Sequence, residues 1–328
     1  MQINFSAVGV VVIGRNEGSR LIACMDSLAE LVPQVVYVDS ASTDNSVAEA
    51  KKRGAHVVSL DMTQAFTAAR ARNAGFDAII SLFPHIQFIQ FVDGDCIVDL
   101  KWISTAFDFL NGNPTIAVVC GRRRELYPQQ SIYNNLCDHE WDTPVGEAKA
   151  CGGDALMRVD ALKLVGGYNN HLIAGEEPEL CIRLRQAGFK VWRLDAEMTL
   201  HDAAITKFSQ WWKRTTRAGY AFAEGAFLHG AAPEHHWIAE SRRAWVWGAL
   251  IPLATLLTML LNPVAGLVLL LVYPLQILRL TFKSEHAFND AFIQATFLTI
   301  GKFAEAVGQI KFYLNRYFKK QTKIIEYK

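Results

Sequence analysis

Short, almost wholly apolar segments recur in the first part of the chain, and each is followed by a segment whose apolar residues have helical spacing. The strand-like segments are residues 8–13, 35–38, 56–60 and 88–92. The helical segments are residues 20–31, 44–52 and 65–77. Strands that are buried on both faces of a parallel sheet have this continuous apolar pattern. The alternation therefore predicts an α/β domain with a mostly parallel, Rossmann-like central sheet flanked by helices.

Acidic side chains follow these strands at the points where the strands end. Asp39 follows the second strand, and Asp93-Gly94-Asp95 follows the fourth. Since ligands of such sheets bind beyond the carboxyl ends of the strands, these positions predict a binding site. Two carboxylates separated by a glycine suit Mg²⁺, which takes one or two carboxylates together with substrate phosphates. An ordinary capped turn would account equally well for the loop after Asp39, and isolated D-x-D pairs also occur in surface turns.

Basic residues occur at two further places that suit phosphate binding. Arg70 and Arg72 lie on the helix after the third strand, where a planar guanidinium can match the oxygens of a diphosphate. A solvated helix face would carry the same residues. Arg214 and Arg217 follow a pair of tryptophans shortly before the apolar C-terminal part of the chain. This aromatic and basic stretch predicts contact with a lipid diphosphate or with the bilayer surface.

Two long uncharged segments, residues 244–262 and 264–278, are separated by a turn signal at Asn262-Pro263. Each is just long enough to cross the hydrocarbon layer, since a membrane helix needs about 20 apolar residues. Basic residues flank the pair on both sides, which predicts a hairpin whose two ends face the cytoplasm. These flanking residues are Arg242, Arg243, Arg279 and Lys283. A buried helical pair in a soluble domain and a shallow re-entrant hairpin are the alternatives.

These patterns predict three regions: a domain over residues 1–240, the apolar hairpin over 241–283, and an amphipathic basic helix and tail over 284–328. The last region fits an anionic membrane surface, or packing against the first domain. With 51% hydrophobic residues the chain is not disordered, and a net charge of +1 provides no field for nucleic acid. The six cysteines are scattered without a C-x-x-C pair, which suits a reducing compartment. No signal-peptide pattern opens the sequence.

Several enzyme classes are excluded because their motifs are missing from the sequence. Neither the G-x-G-x-x-G fingerprint of dinucleotide-binding proteins nor the P-loop occurs, and there is no G-x-S-x-G elbow. The motifs that do occur follow one another in the order GVVVIGRNEG, VVYVDSASTDNS, AARARNAG, FVDGDCIVD and GEEPELCIRLRQAGFKVW. This series resembles the family 2 glycosyltransferases, which are inverting enzymes with the GT-A fold. The resemblance runs from about residue 8 to residue 201.

The resemblance implies where a donor nucleotide binds. The family uses the loop after the first strand, the end of the second strand, the A-R-N-x-G helix and the D-x-D pair for the base, ribose and diphosphate. The matching residues are Asn16, Glu17, Asp39, Arg70, Arg72, Asp93 and Gly94. The same D-x-D pair holds a divalent cation, Mg²⁺ or Mn²⁺, in the family. The matching ligands are Asp95, which is expected to be the direct one, with Asp93 and His201.

The resemblance also implies the residues that carry out the transfer. Gly175-Glu176-Glu177 matches the G-E-D motif of the catalytic base, with glutamate in place of the usual aspartate. This departure leaves either Glu177 or Glu176 as the base. The segment also reads as a helix start, where acidic residues complement the helix dipole. The segment with Gly152, Gly153 and Asp154 resembles the family's small-residue segment beside the donor sugar and acceptor. Trp141, which lies in a polar and aromatic cluster, and Arg214 and Arg217 are expected on the same side from their residue types and not from the resemblance.

The implied reaction moves a sugar, with inversion, from a UDP-, GDP- or dTDP-linked donor to a hydroxyl of a lipid-linked or polysaccharide acceptor. The hairpin predicts location at the inner membrane, with the first domain on the cytoplasmic side. A sugar nucleotidyltransferase is the alternative enzyme, but its early G-x-G-T-R-L signature is missing from this sequence. A non-catalytic, membrane-anchored carbohydrate-binding module is the third possibility, and the two acidic motifs argue against it.

Overall fold

The computed structural model describes residues 5–318 and residue 325. The chain divides into two compact units, Met1–Thr206 and Lys207–Lys328. The predicted end of the first domain at residue 240 falls inside the second unit, because the helix Phe208–His229 packs along the long C-terminal helix. An amphipathic pattern shows that this helix buries one face, but not which unit covers it. Most of the predicted basic tail, residues 319–324 and 326–328, lies outside the described residues.

Within the described residues, the first unit is built on one sheet of nine strands. The strands are β1 (Val8–Gly14), β2 (Val35–Asp39), β3 (His56–Ser59), β4 (Phe88–Asp93), β5 (Cys96–Val98), β6 (Ile116–Glu125), β7 (Gly146–Ala148), β8 (Ala155–Arg158) and β9 (Lys190–His201). Their order is β3-β2-β1-β4-β8-β6-β9-β5, and β7 also pairs with β9. The first four strands are parallel, as predicted. Beyond β4 the sheet is mixed, because β8 and the short strands β5 and β7 pair in the antiparallel direction.

Helices cover the sheet of the first unit. They are α1 (Ser19–Leu28), α2 (Ser46–Lys52), α3 (Ala68–Leu82), α4 (Trp102–Gly112), α5 (Ile132–Glu140), α6 (Val159–Val165) and α7 (Glu176–Gln186). Helix α3 begins where the Thr67 hydroxyl accepts a hydrogen bond from the Arg70 N–H at 3.1 Å. It crosses β1 closely, because a Cβ on Gly75 would lie 2.3 Å from a methyl group of Val11. This close crossing fixes the position of α3 over the sheet.

Strand register brings the candidate residues to one edge of the sheet. Gly14 at the end of β1 is paired with Asp39 of β2, and Ile13 is paired with Asp93 of β4. At the β5 end of the strand order, β5 runs antiparallel to β9, which places Cys96 beside His201. Parallel strands end at the same edge, so the acidic residues predicted from strand ends come together there.

The second unit is helical. Its helices are α8 (Phe208–His229), α9 (Ile238–Trp245), α10 (Ile251–Leu261), α11 (Pro263–Leu270), α12 (Val272–Lys283) and α13 (Phe288–Tyr317), and one π-helical turn, Val246–Leu250, joins α9 to α10. Two continuous helical runs, Ile238–Leu261 and Pro263–Lys283, are long and apolar enough to cross a membrane, by length and composition. Only 11% of the most apolar part of each run is buried. The predicted pair of apolar helices is therefore present, with most of its surface exposed.

Candidate active site

The Asp93-Gly94-Asp95 turn separates its two carboxylates into different surroundings. Asp93 ends β4 and Cys96 begins β5, so the chain turns at Gly94. The Gly94 N–H donates to the Ile13 carbonyl at 2.8 Å, and a Cβ on Gly94 would lie only 3.0 Å from that oxygen. Glycine is therefore required for the close approach of this turn to β1. Asp93 faces two arginines, whereas Asp95 faces a histidine.

Asp93 is held by guanidinium groups from two different elements. Arg72 of α3 contacts one carboxylate oxygen at 2.9 Å, and Arg123 of β6 contacts the other at 3.3 Å. Burial disfavours the charge on Asp93, but the two arginines outweigh it and hold the pKa of this carboxyl below its usual value. A Cβ on Gly153 would lie 2.6 Å from the end of the Arg72 side chain and 2.8 Å from that of Asp93, so a larger residue here would displace this ion pair. The predicted Gly-Gly-Asp segment thus packs directly on the ion pair.

Arg72 also connects Asp93 to the two candidate bases. One of its terminal nitrogens lies 2.9 Å from Glu176 and 2.8 Å from Glu177, while the other contacts Asp93. The Arg72 side chain is only 4% exposed, and its charge is shared by three carboxylates. The acidic pair after β4 and the start of α7 therefore lie in one cleft. A carboxylate that could accept a proton and a guanidinium that could face an anion thus lie side by side.

Glu177 differs from Glu176 in its exposure. The Glu177 side chain is 12% exposed and that of Glu176 is 5% exposed. Burial, with Glu176 close by, raises the pKa of Glu177 to about 7. A group with a pKa near neutrality is well suited to accept a proton at physiological pH. Gly175 precedes the pair in the left-handed conformation, with φ at 81°, which glycine adopts at little cost.

Asp95 and His201 form the pair that best suits a divalent cation. Asp95 Oδ2 lies 3.3 Å from His201 Nε2, and both side chains are buried. Adjacent ligands of an octahedral ion with bonds of about 2.1 Å are about 3 Å apart, so one ion can accept both atoms. The Cys96 sulfur also lies near this pair, but burial raises the pKa of its thiol well above the usual value. The pair could therefore offer a divalent cation one carboxylate and one imidazole.

Trp141 packs against both parts of this site. Its ring meets the His201 ring edge to face, with 4.8 Å between the ring centres. The Arg123 guanidinium lies 5.0 Å from the centre of the same tryptophan ring, within the range of a cation–π contact. Asp154 lies beneath, fully buried, and accepts hydrogen bonds from the Asp93 N–H at 3.0 Å and the Thr199 hydroxyl at 2.8 Å. These contacts fix the directions of Arg123 and His201.

The loops after β1 and β2 form the other end of the edge. Asn16, with φ at 55°, accepts a hydrogen bond from the Thr43 N–H at 2.7 Å. Asp39 is buried and accepts from the Ser42 N–H at 3.1 Å. Glu17 forms an ion pair with Arg20 at 2.7 Å. Asn16 and Asp39 thus organise one loop between them, at the strand ends where the sequence predicted a nucleotide.

Arg70 is directed away from this cleft. Its guanidinium donates to the main-chain carbonyls of Asp61, Gln64 and Ala65 at 2.8 to 3.2 Å. It therefore stabilises the loop before α3, whereas Arg72, two residues on, faces the cleft. Within the described residues, no atom beyond the two adjacent residues lies within 4 Å of a Cβ built on Gly152, so no neighbouring contact requires glycine there. Arg214 and Arg217 belong to α8 in the second unit.

Arg123 also faces the cleft; the sequence leaves open that its run of arginines, which follows a predicted strand, faces phosphates. It lies in the run Arg122-Arg123-Arg124, which also fits a solvated charge cluster. On the strand, its two neighbours find other partners: Arg122 contacts Asp138 at 3.0 Å, and Arg124 contacts Glu197 at 2.7 Å. The Arg122 and Arg123 side chains are largely buried, whereas that of Arg124 is half exposed. The pairing of β6 with β9 shifts register between Arg122 and Arg123, so simple strand alternation does not predict which arginine faces the cleft.

Comparison with known proteins gives a consistent result. Residues 9–162 match the family model described as glycosyl transferase family 2. The succinoglycan biosynthesis protein ExoA of Rhizobium meliloti is 27% identical over 201 residues, which are 57% of this chain and 60% of the relative. The pre-mycofactocin glycosyltransferase of Mycobacterium tuberculosis is 26% identical over 240 residues, 68% of this chain and 48% of the relative. The chain thus spans about half to three-fifths of the length of these relatives.

Two solved structures share the fold. The mannosyltransferase PcManGT from Pyrobaculum calidifontis, in complex with GDP-Man and Mn²⁺, has a TM-score of 0.63 and 18% identity, covering 93% of this chain and 87% of its own. Glucosyl-3-phosphoglycerate synthase from Mycobacterium tuberculosis, in complex with Mn²⁺, UDP and its product, has a TM-score of 0.51 and 16% identity, covering 68% of this chain and 80% of its own. The expected GT-A type of α/β fold is confirmed.

Proposed function

Because this chain belongs to glycosyl transferase family 2 through residues 9–162, we propose that it transfers a sugar from a nucleoside-diphosphate donor to an acceptor hydroxyl. The observation that carries the proposal is the position of Arg72. It contacts Asp93 on one side and both Glu176 and Glu177 on the other. The groups suited to a leaving diphosphate and to a proton acceptor therefore share one cleft.

The donor nucleotide would lie along the strand ends. Asn16, Glu17 and Asp39 would surround the base and ribose, in the loops after β1 and β2. Arg72 and Arg123 would face the diphosphate, since each presents a planar fork of donors beside Asp93 and Gly94. Arg123 takes the place that the sequence suggested for Arg70, whose guanidinium is occupied by loop carbonyls. UDP-, GDP- and dTDP-linked sugars are the candidate donors.

Asp95 and His201 would hold the divalent cation, Mg²⁺ or Mn²⁺. Their facing oxygen and nitrogen are 3.3 Å apart, and both side chains are buried. Asp93 lies close by, but its carboxylate already has two guanidinium partners. Its main role would therefore be to orient Arg72 and Arg123. When bound, a divalent cation supplies Lewis-acid stabilisation of the charge that develops on the departing diphosphate.

Glu177 would act as the general base. It would accept the proton of the acceptor hydroxyl while the oxygen attacks the anomeric carbon from the face opposite the diphosphate. A single displacement of this kind inverts the anomeric configuration and needs no covalent intermediate. Glu177 is favoured over Glu176 because its side chain is more exposed and its pKa is about 7. Gly152, Gly153, Asp154 and Trp141 would lie on the side of the donor sugar and acceptor.

The acceptor is proposed to be a lipid-linked saccharide or a growing polysaccharide at the cytoplasmic face of the inner membrane. Two exposed apolar helical runs support the membrane location. Basic residues on both flanks of these runs support the orientation; they are Arg242, Arg243, Arg279 and Lys283. Arg214 and Arg217 of α8 are proposed to contact an acceptor diphosphate. The relative that is named for succinoglycan biosynthesis is consistent with such a step.

The proposal is tested by the stereochemistry of the product. The purified full chain is incubated with Mn²⁺, a panel of UDP-, GDP- and dTDP-sugars, and membrane lipid extract as the acceptor source. We expect one donor class to be consumed, with a product whose anomeric configuration, read from the proton coupling constant in its NMR spectrum, is opposite to that of the donor. A product with the configuration of the donor would contradict the single displacement. A parallel incubation receives sugar phosphates and nucleoside triphosphates, and their consumption, with no consumption of nucleotide sugars in the first incubation, would identify a nucleotidyltransferase instead.

A further inference from the structure

Within the second unit, α13 is covered on one face by α8. The two helices run in the same direction, because Trp211 meets Phe297 and Tyr220 meets Phe312. They approach closely at Gly219, where a Cβ would lie 2.1 Å from the Glu305 carbonyl oxygen. Helix α8 itself carries several charged residues, Lys213, Arg214, Arg217 and Glu224. A helix with these charges lies in water rather than in hydrocarbon, so the α8 side of α13 is its aqueous side.

The apolar hairpin leaves α13 and returns to it at one place. Helix α9 runs antiparallel along α13, with the Ser241 hydroxyl donating to Gln309 at 2.8 Å. By Gly248 the chain has reached the Lys302 carbonyl, which a Cβ on this glycine would strike. After the hairpin, the Tyr273 ring packs on Phe303 at 5.5 Å. Lys302 and Phe303 are adjacent, so both legs of the hairpin depart from the same turn of α13.

The base of the hairpin is closed and its legs are short. The Tyr273 hydroxyl donates to the Trp247 carbonyl at 2.8 Å, which ties the two legs together beside α13. Beyond this tie, the first leg continues from residue 249 through α10 to Leu261, and the second runs from Pro263 through α11 to Val272, which are 13 and 10 residues. At 1.5 Å per residue these legs are about 20 and 15 Å long. The hydrocarbon core of a bilayer is about 30 Å thick, so the part that projects from α13 is too short to cross it.

The projecting part is suited throughout to hydrocarbon. Its tip exposes Leu260 and Leu261, which are 82% and 89% accessible, and Val264, which is 70% accessible. The chain carries no charged residue between Arg243 and Arg279. Helices α10 and α11 pack against each other, so their outer faces are left without a protein partner in the described residues. Several exposed leucines at one tip would be costly in water.

The outer face of α13 is apolar and aromatic. Ile310, Tyr313, Leu314 and Tyr317 are exposed at helical spacing. Ile310 is two residues from Phe312, which faces α8, and two residues correspond to about half a turn of helix. Trp245, the last residue of α9, joins these residues and Arg316 around one groove of about 780 Å³. Tryptophan and tyrosine prefer the boundary between lipid headgroups and hydrocarbon.

We infer that the second unit is a monotopic anchor that enters one leaflet without crossing the bilayer. Helix α13 lies along the boundary of that leaflet with Tyr313 and Tyr317 at headgroup level, and α8 lies above it in water. Residues 249–272 dip into the hydrocarbon and return to the same side. The inference rests on the proposed membrane association, and it replaces a spanning hairpin by a re-entrant one. The partner is the acyl-chain region of a single leaflet.

The test is labelling of single introduced cysteines from each side of a membrane. Leu261→Cys places a thiol at the hairpin tip, and Glu285→Cys places one just after α12, as the control. The native cysteines Cys24, Cys96, Cys120, Cys137, Cys151 and Cys181 are all buried, so the parent chain provides the background. A membrane-impermeant maleimide is added to spheroplasts, to inside-out vesicles and to detergent-solubilised samples. Each variant is compared with its own fully solubilised signal.

We expect Glu285→Cys to react in inside-out vesicles and Leu261→Cys to react only after detergent is added. Reaction of Leu261→Cys in spheroplasts, on the side opposite Glu285→Cys, would show a spanning hairpin and overturn the inference while leaving membrane association intact. Reaction of both thiols on the same side would place the hairpin in water and overturn the membrane association itself. The labelling does not depend on sugar transfer, so failure of this inference can be distinguished from failure of the proposed enzymatic function.

Discussion

Replacement of Glu177 by glutamine is expected to lower kcat by about 10²–10⁴-fold, because general-base assistance contributes on this scale. Binding of the donor should be unchanged, since Glu177 is proposed to meet the acceptor hydroxyl and not the nucleotide. The measurement is initial transfer rate at saturating donor, with the donor Kd determined by calorimetry on the same samples. The matched control is Glu176→Gln, which removes the more buried carboxylate from the same nitrogen of Arg72. If Glu176→Gln has the larger effect on kcat, the base is Glu176.

The pH profile separates a base from a residue that only supports the structure. The pKa of Glu177 is raised to about 7, so this carboxyl is protonated and unable to accept a proton below that pH. The wild-type kcat/KM should therefore fall tenfold per pH unit as the pH drops below about 7, and level off above it. Glu177→Gln should lose this acidic limb, because glutamine does not titrate in this range. A wild-type rate that is flat from pH 5 to 8 would exclude Glu177 as the base.

Replacement of Arg72 by methionine is expected to lower the free energy of unfolding by about 3–5 kcal/mol, the usual cost of removing one partner from a buried ion pair. Arg72 is almost fully buried and is the common partner of Asp93, Glu176 and Glu177. Without it, three carboxylates would face one another, with Arg123 as the remaining cation at Asp93. Methionine is a long, unbranched side chain that can fill most of the space of arginine. The decrease in the free energy of unfolding therefore reports the loss of the charge rather than the formation of a cavity.

The control for this experiment is Arg70→Met, on the same helix. The Arg70 guanidinium contacts only main-chain carbonyls in an exposed loop among its hydrogen bonds in the described residues. Its removal should cost about 1 kcal/mol or less. Urea unfolding of the full chain, followed by hydrogen exchange in peptides from α3 and α7, measures both variants. An equal decrease in the free energy of unfolding for Arg70→Met and Arg72→Met would show that the buried ion pairs of Arg72 contribute no more to stability than the loop hydrogen bonds of Arg70.

The strands and their acidic ends could be predicted because the signals are local. Continuous apolar segments marked β1 to β4, and Asp39, Asp93 and Asp95 followed them in sequence. The sequence also held a signal for choosing between the two arginines of α3. Arg72 shares a helix face with Gly75, Phe76 and Ile79, which are all buried, whereas Arg70 lies two residues away on a different face. The helical spacing of these buried residues therefore indicates that Arg72, and not Arg70, faces the sheet and the cleft.

The remaining contacts could not be predicted because they depend on pairings between distant segments. His201 meets Asp95 because β9 runs antiparallel to β5, and Arg123 of β6 reaches Asp93 of β4 although β8 lies between these two strands. A single sequence does not determine such registers. The assignment of α8 to the second unit has the same origin, since its partner α13 lies far along the chain. Local patterns in the sequence thus indicated which residues belong to the cleft, but not which of these residues contact one another.

Asp95 and His201 are proposed to hold a cation beside the arginines that face the diphosphate. Calorimetric binding of UDP and GDP to the wild-type chain and to Asp95→Asn, each with Mn²⁺ and with EDTA, tests this directly. We expect Mn²⁺ to strengthen binding of one nucleoside diphosphate to the wild type, EDTA to remove this gain, and Asp95→Asn to bind equally weakly in both conditions. Binding to the wild type that is the same in Mn²⁺ and EDTA, or a full Mn²⁺ effect in Asp95→Asn, would show that these two residues do not hold the cation.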